Sequence, residues 1–131
     1  MTKNKSTKAT AAATRTGERS MVAQQQPRTS TRLTVFVPEA DNAGQAFTPD
    51  AFAAFESFAL DLAGGVTMGG HVKGLWRGEQ TTYADTNREY ILIVPRKRAR
   101  AIALAVINYV KKQFRQLAVY VELTLVRVAG F

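Results

Sequence analysis

The stretch Gly70–Val94, GHVKGLWRGEQTTYADTNREYILIV, decides how the middle of this chain folds. It covers most of two runs rich in β-branched and aromatic residues, Val66–Arg77 and Thr81–Val94, which flank a short connection containing glycine. Such a pattern predicts a β-hairpin. If Arg77 pairs with Thr82 across a four-residue loop, the register of the whole hairpin follows, because side chains alternate between the two faces of a strand.

One face of this predicted hairpin combines aromatic side chains, carboxylates and glycines. The register places Trp76 opposite Tyr83, Gly74 opposite Asp85, Val72 opposite Asn87 and Gly70 opposite Glu89. The candidate ligand-binding residues are therefore Trp76, Tyr83, Asp85, Asn87 and Glu89. The same pattern also fits a packing pair of Trp76 and Tyr83 beside solvated carboxylates, because cross-strand aromatic pairs stabilise hairpins.

The opposite face of the hairpin collects the basic side chains of His71, Lys73, Arg77 and Arg88. His71 is the chain's single histidine, and the chain has no cysteine. A metal centre normally needs three or more ligands, so we expect neither a metal nor another cofactor. The glycine-rich run Gly64–Gly70 contains no Walker or dinucleotide-binding pattern. No residue is therefore assigned as catalytic.

Local signals predict two helices and two further strands around the hairpin. The predicted elements are a strand over Arg32–Val37, a helix over Pro49–Ala63, a helix over Lys97–Gln116 and a strand over Ala118–Val128. Thr48 is a suitable N-cap for the first helix, and Pro49 suits its first position. The glycine pair that begins at Gly64 is a strong stop signal for this helix.

The resulting order β-α-β-β-α-β predicts a ferredoxin-like α+β fold, in which a four-stranded antiparallel sheet carries both helices on one face. The other face would then lack helices. The apolar side chains that could lie on that face are Phe36, Trp76, Leu92 and Tyr120. Because an exposed apolar face is usually covered, we expect a homo-oligomer packed through the sheets or through their edges.

Most of the net charge of +8 lies near the N-terminus of the 131-residue chain. Residues 1–32 contain seven basic residues and one acidic residue. The segment 1–31 lacks apolar periodicity and consists largely of Thr, Ala, Ser, Gln, Lys and Arg. We therefore expect a disordered basic tail over residues 1–31, followed by a single domain over residues 32–131.

The composition also bears on location. No run approaches the roughly 20 apolar residues of a membrane span, and no secretory signal peptide is recognisable. Together with the absence of cysteine, this favours a cytoplasmic protein. The tail has two further interpretations, because its acid-poor composition matches that of organelle transit peptides and its charge suits nucleic acid.

Four short motifs follow one another along the chain in a recognisable order. They are GVT at Gly65–Thr67, GLWR at Gly74–Arg77, NREYILIV at Asn87–Val94 and YVKKQFRQLAVYV at Tyr109–Val121. In this order they resemble a family of small bacterial proteins with a domain of unknown function. That family has a Gly-x-Trp strand, a Glu-bearing strand and a helix ending in Tyr-Lys-x-x-Phe-x-Gln; here Val110 stands where its lysine is expected. The resemblance covers residues 32–131 and implies a fold without an activity. It marks Gly74, Trp76, Glu89, Tyr109, Phe114 and Gln116.

Three functions are compatible with these features. The first is a small oligomeric binding or regulatory domain, whose hairpin face holds a ligand. The second is a nucleic-acid-associated protein, in which the tail and a set of basic residues contact phosphates. These residues are Lys73, Arg77, Arg88, Lys111, Lys112 and Arg115. The third is a cofactor-free enzyme that uses Glu89 or Asp85 as general base, with Tyr83 or His71 near the substrate. No catalytic constellation is recognisable, which favours the first function.

Overall fold

The computed structural model of the protein describes residues 28–130. Its elements are β1 (Arg28–Pro38), α1 (Pro49–Ala63), β2 (Thr67–Arg77), β3 (Thr82–Pro95), a 3₁₀ turn (Arg96–Arg98), α2 (Ala99–Gln113) and β4 (Val121–Val128). Residues 30–125 form one compact unit, and residues 28–29 and 126–130 belong to a second one. The core and the candidate site both lie within residues 30–125.

The four strands form one sheet in the order β2-β3-β1-β4. β3 runs antiparallel to both of its neighbours, β2 and β1. This sheet, with the element order β-α-β-β-α-β, is a ferredoxin-like α+β fold, which confirms the predicted fold class. β1 and β3 therefore occupy the centre of the sheet, and β2 and β4 are its edges.

The hydrophobic core lies between one face of the sheet and the two helices. Alternate residues of the central strands enter it, because successive side chains of a strand point to opposite faces. The large buried side chains are Leu33, Val35, Val37, Phe52, Phe55, Tyr90, Leu92, Val94, Ile102, Val106, Val110 and Phe114. Burial of one such side chain contributes about 1.5–3 kcal/mol, so this layer is the main source of stability.

Helix α1 has the bounds that its sequence predicts. The Thr48 side chain accepts a hydrogen bond from the backbone N–H of Ala51 at 3.3 Å, and Pro49 occupies the first turn. At the other end Gly64 adopts a left-handed backbone with a φ of 81°, which glycine does without steric penalty. Both ends of α1 are therefore determined by local sequence.

Helix α2 is shorter than the predicted helix over Lys97–Gln116. The residues after Pro95 first form the 3₁₀ turn, and no side chain caps α2 at Arg98. At its C-terminal end Arg115 has a φ of 53°, which a right-handed helix does not allow. The chain therefore leaves the helix before Gln116, at a residue type that gives no local stop signal.

Strand β1 begins at Arg28 rather than at Arg32. Thr31 pairs with Val94 of β3 and is buried, so this segment belongs to the sheet and not to the predicted disordered tail. A β-branched threonine suits such a position, because it packs well on a pleated surface. Residues 1–27, which make up the rest of the predicted tail, lie outside the described residues.

The β2–β3 hairpin has the predicted register. Its pairs include Arg77–Thr82, Trp76–Tyr83, Gly74–Asp85, Val72–Asn87 and Gly70–Glu89. The ladder shifts between Met68 and Gly70, which places a β-bulge at Gly69. Gly70 has a φ of 135°, a conformation that residues with a side chain rarely adopt. Strand geometry therefore explains this glycine pair.

The face opposite the helices carries Phe36, Trp76 and Tyr120, but the expectation for Leu92 is wrong. Leu92 pairs with Leu33 and is fully buried in the core. The run that contains it, Tyr-Ile-Leu-Ile-Val, is apolar at every position. Since the two faces of this run look alike in sequence, only the pairing with β1 decides which residues point to the helices.

Candidate ligand-binding site

A groove lies beside the end of β1, where the hairpin projects beyond the last β1–β3 pair, Pro38–Asn87. It consists of two cavities, of about 340 and 450 Å³, that share Pro38, Asp85 and Gln116. The other lining residues of the smaller cavity are Phe36, Trp76, Asn87, Ala118, Val119 and Tyr120. Those of the larger cavity are Ala40, Asp41, Asn42, Gly44, Tyr83, Ala84 and Thr86. The hairpin, the loop after β1 and the segment before β4 thus form the groove together.

Aromatic side chains line the smaller cavity. The rings of Phe36 and Tyr120 stack with centroids 5.0 Å apart and planes inclined by 24°. A backbone hydrogen bond holds this pair in place, because the Phe36 N–H donates to the Tyr120 carbonyl at 3.2 Å. Tyr120 is 47% exposed and Trp76 is 52% exposed. Exposed aromatic faces of this kind stack on flat rings and attract cations.

Trp76 is held against the hairpin by its cross-strand neighbour. Its indole Nε1–H donates a hydrogen bond to Oδ1 of Asp85 at 3.1 Å. Gly74, which pairs with Asp85, makes room for this contact. A Cβ at Gly74 would lie 2.8 Å from Asp85 Oδ1 and 2.9 Å from Trp76 Nε1. The glycine thus lets the indole lie over the strand, where it borders the groove.

Asp85 and Asn87 supply the polar groups on the hairpin side of the groove. Within residues 28–130, no ion pair involves Asp85. Its carboxylate accepts hydrogen bonds only, whereas the Asn87 amide both donates and accepts. The smaller cavity can therefore offer aromatic surface, one carboxylate and the amides of Asn87 and Gln116 to a ligand.

A second carboxylate, that of Glu122, lies near the Tyr120 hydroxyl. Its hydroxyl donates a hydrogen bond to Glu122 Oε2 at 2.8 Å. This bond, with a smaller effect of burial, raises the pKa of Tyr120 above its ordinary value. Because the bonded form is the neutral phenol, Tyr120 acts near neutral pH as a ring surface with an occupied hydroxyl.

The structure brings most of the predicted ligand-binding residues together. Trp76, Asp85 and Asn87 line the smaller cavity, and Tyr83 lines the larger one. Glu89 shares their face of the sheet but lines neither cavity; its carboxylate lies over Gly69, where a Cβ would be 2.5 Å from Oε1.

The sequence did not indicate that Pro38 and Gln116 belong to the site. Both line the two cavities. Gln116 lies there because the chain turns at Arg115, and its side-chain amide donates to the Phe114 carbonyl at 2.8 Å. The resemblance marks Gln116 as a position of interest, and that was the one available signal for it.

A second polar cluster lies on the helix side of the hairpin. His71 Nδ1 is hydrogen-bonded to Glu39 Oε2. Arg88 Nε lies 3.7 Å from the same carboxylate oxygen, and an Arg88 Nη lies 3.9 Å from Glu56 Oε2. The Arg88 guanidinium also lies over the Phe52 ring, 3.8 Å from its centroid. Arg88 therefore connects the hairpin, the loop after β1 and helix α1.

Tyr90 completes this cluster from the core side. Its hydroxyl donates a hydrogen bond to Glu56 Oε2 at 2.6 Å. Burial, followed by this hydrogen bond, raises the pKa of Tyr90 to about 12. The cluster links charged side chains to a phenol that belongs to the core. None of its residues lines any of the cavities described among residues 28–130.

The residues of the nucleic-acid interpretation occupy different surroundings. Lys73, Arg77, Lys111 and Lys112 are exposed. Arg88 is partly buried between two carboxylates, as described above. Arg115 lies 3.7 Å from Asp41 Oδ2 and 5.2 Å from the Phe47 ring centroid. Nucleic-acid binding by these residues stays a prediction.

Residues 28–130 contain neither a metal-binding cluster nor a membrane-spanning helix. No group of three or more His, Cys, Asp or Glu side chains there is close enough to hold a metal ion. In the same part of the chain, no helix combines the length and the apolar character needed to cross a membrane.

The fold places the chain among small ferredoxin-like α+β domains, and solved structures share it. One is a phage SAM lyase in complex with S-methyl-5'-thioadenosine, with a TM-score of 0.58 and 11% identity over 76% of this chain and 89% of that one. Another is the stable protein CutA1 from Shewanella sp. SIB1, with a TM-score of 0.57 and 14% identity over 81% of this chain and 87% of that one. A third is the periplasmic divalent cation tolerance protein CutA from Archaeoglobus fulgidus, with a TM-score of 0.52 and 12% identity over 74% and 82%.

At such identities these likenesses establish the fold alone. No protein-family model matches the chain, and no curated protein matches it. The resemblance to the family with a domain of unknown function therefore stays a prediction.

Proposed function

We propose that this protein is a small ligand-binding domain and that the groove around Trp76, Asp85 and Tyr120 is its binding site. The observation that carries this proposal is the groove's composition. One cavity is bordered by a stacked Phe36–Tyr120 pair, an exposed indole and a carboxylate that forms no ion pair with any residue from 28 to 130. Concave sites with aromatic walls and a few placed polar groups are the usual form of small-molecule sites.

The ligand class that best suits these walls is a molecule with a flat heteroaromatic ring. A purine ring can stack on an exposed aromatic side chain, with about 1–3 kcal/mol per base in comparable contacts. The Asn87 amide, with one donor and one acceptor group, can pair with the ring edge. The phage SAM lyase that shares this fold binds S-methyl-5'-thioadenosine, and this supports an adenine nucleoside as the first ligand to test.

We also propose that the domain assembles as a homo-oligomer. Leu123 and Leu125 of the edge strand β4 are 51% and 60% exposed, and with Ala99 and Arg100 they line an apolar hollow of about 460 Å³ beside α2. Exposed apolar side chains along a sheet edge favour association with a second copy. Light scattering on the protein as it elutes from a size-exclusion column should give a mass that is a multiple of 14.4 kDa. A monomer at all accessible concentrations would contradict the proposed assembly.

The binding proposal can be tested through the chain's single tryptophan. Because Trp76 borders the groove, a bound ring should change its fluorescence. Titration with S-methyl-5'-thioadenosine should give a saturable change in the wild-type protein. Tyr120→Ala removes half of the stacked pair and should weaken binding by about tenfold, since one stacking contact contributes about 1–3 kcal/mol.

The matched control is Tyr109→Ala, which removes a tyrosine that packs on Phe58 and lines none of the described cavities. This variant should keep the wild-type affinity at a temperature where it remains folded. A divalent cation titrated in the same way serves as a second probe, because a CutA neighbour is a divalent cation tolerance protein. A response to the cation with none to the nucleoside would sink the proposal, as would equal loss in the two variants.

A further inference from the structure

We propose that the groove selects ligands that carry a positive charge and that Asp85 is their counter-ion. This inference rests on the proposed function, since it concerns the same groove. The inference adds the charge of the ligand to the proposed function. The ligand is a flat ring with a cationic group attached, rather than a neutral or phosphorylated one. Three independent features of the groove lead to this conclusion.

The first feature is the position of Asp85. It is one of three residues that line both cavities, and the other two, Pro38 and Gln116, are uncharged. A ligand that lies across the groove therefore passes the Asp85 carboxylate. Its Oδ1 accepts the hydrogen bond from the Trp76 indole, which orients the carboxylate. Within residues 28–130 no ion pair and no second hydrogen bond occupies Oδ2.

The second feature is the absence of basic residues from the described lining. Of the residues from 28 to 130, two acidic ones, Asp41 and Asp85, line the two cavities, and no Lys, Arg or His does. Asp41 is already neutralised by Arg115 at 3.7 Å, and its Oδ1 accepts hydrogen bonds from Ala43 and Gln45. In a chain of net charge +8, a groove whose free charge is negative favours a cation and disfavours phosphate.

The third feature is the aromatic surface beside this carboxylate. Trp76 and Tyr120 are about half exposed and line the same cavity as Asp85. The faces of aromatic rings are electron-rich and attract ammonium and sulfonium groups as well as flat rings. Carboxylate and ring faces together can therefore hold a ligand whose cation and ring are joined by a short linker.

A matched pair of probes tests this inference on the full-length protein. The neutral thioether nucleoside S-methyl-5'-thioadenosine and its S-methylated sulfonium derivative differ by one methyl group and one positive charge. Calorimetric titration should show that the sulfonium binds about fivefold more tightly, as expected for one exposed ion pair of about 1 kcal/mol. The preference should weaken as salt is added.

The Asp85→Asn variant removes the charge and keeps an oxygen that can accept from the Trp76 indole. In this variant the preference should be lost, and the sulfonium and the neutral nucleoside should bind alike. Asp61→Asn, at an exposed site on α1 outside the groove, should keep the full preference. Unchanged Trp76 fluorescence and melting temperature in Asp85→Asn would show that the groove is intact.

The possible failures are distinguishable. Binding of neither probe overturns the proposed function and this inference together. Equal binding of both probes to the wild-type protein, or a sulfonium preference that survives in Asp85→Asn, overturns the inference and leaves the binding groove in place. Tighter binding of adenosine monophosphate than of adenosine has the same meaning, because a phosphate should be repelled by Asp85.

Discussion

At the scale of single residues, Gly74 shows how one missing side chain shapes the groove. A methyl group there would meet the contact between Asp85 and Trp76 at distances below 3.0 Å. We expect Gly74→Ala to displace the indole, to shift Trp76 fluorescence towards that of a solvated tryptophan and to weaken ligand binding. The free energy of unfolding should fall by about 1 kcal/mol or less, because both displaced groups are ends of side chains that can move.

The matched control for this prediction is Gly65→Ala. A Cβ at Gly65 meets no atom within 4 Å, and its backbone is not in the left-handed region. The fluorescence of Trp76 should therefore remain as in the wild type. If both alanine variants left the spectrum unchanged, the close packing of glycine, indole and carboxylate would have no consequence in solution.

Tyr90 makes a prediction about alkaline pH. Burial, and then its hydrogen bond to Glu56, raises the pKa of Tyr90 from the ordinary value of 10.0 to about 12. The phenol in the unfolded chain loses its proton first as pH rises. Ionisation therefore lowers the free energy of the unfolded state before it lowers that of the folded state. The contribution to stability is complete below pH 10 and is lost between pH 10 and about pH 12. Its size is about 2–3 kcal/mol, since one pKa unit corresponds to about 1.4 kcal/mol.

Denaturant unfolding at several values of pH measures this effect. In Tyr90→Phe, the decline of the unfolding free energy above pH 10 should be shallower than in wild type. Some decline should remain, because burial raises the pKa of Tyr109 and the Glu122 hydrogen bond raises that of Tyr120. Parallel curves for the two proteins would show that Tyr90 ionises equally easily in both states.

At the scale of secondary-structure elements, Arg88 is the residue that joins several of them. It reaches from β3 to Glu39 in the loop after β1 and to Glu56 and Phe52 on α1. We expect Arg88→Met to lower the free energy of unfolding by about 1–2 kcal/mol, because a cation–π contact and two partly buried ion pairs are lost. Chemical denaturation measures the difference.

Two further variants show which property of Arg88 matters. Arg88→Lys should recover little, because an ammonium group lacks the planar guanidinium that stacks on the Phe52 ring. Arg77→Met, at the exposed end of the hairpin, should change stability by less than about 0.5 kcal/mol. Full recovery by lysine would mean that charge alone, and not stacking, stabilises the contact between these elements.

The same elements show which features are readable from sequence. Thr48, Pro49 and Gly64 act on their own neighbourhood, so both ends of α1 could be predicted. The register from Arg77–Thr82 to Gly70–Glu89 could also be predicted, because a tight loop determines pairing over a long hairpin. With the register came the shared face of Trp76, Asp85 and Asn87.

Features that depend on distant contacts were not readable. Leu92 lies in an all-apolar run, and its face is decided by Leu33 on another strand. The contact of His71 with Glu39 joins residues that are far apart in sequence. The groove likewise needs Pro38 and Gln116, which come from two separate segments and meet Asp85 only in the folded chain. Local periodicity carries no signal for such meetings.

At the scale of the whole molecule, most of the basic charge lies in a different part of the sequence from the residues of the candidate groove. The excess of basic residues lies within residues 1–32, whereas among residues 28–130 the candidate groove is lined by two acidic residues and no basic ones. A net charge of +8 would by itself indicate a polyanionic partner. The lining of the groove indicates the opposite preference for its own ligand.

The start of β1 provides a test of where the folded unit begins. Ser30 and Thr31 pair with Pro95 and Val94 of β3, and Thr31 is buried. Of two shortened chains, one beginning at Arg28 keeps these pairs and one beginning at Arg32 loses them. The second should melt at a temperature lower by about 5 °C or more, as expected for the loss of about 1 kcal/mol in a domain of this size. Equal melting temperatures would place the start of the folded unit at Arg32, as the composition alone suggested. The first pairs of the β1–β3 ladder would then have no stabilising role.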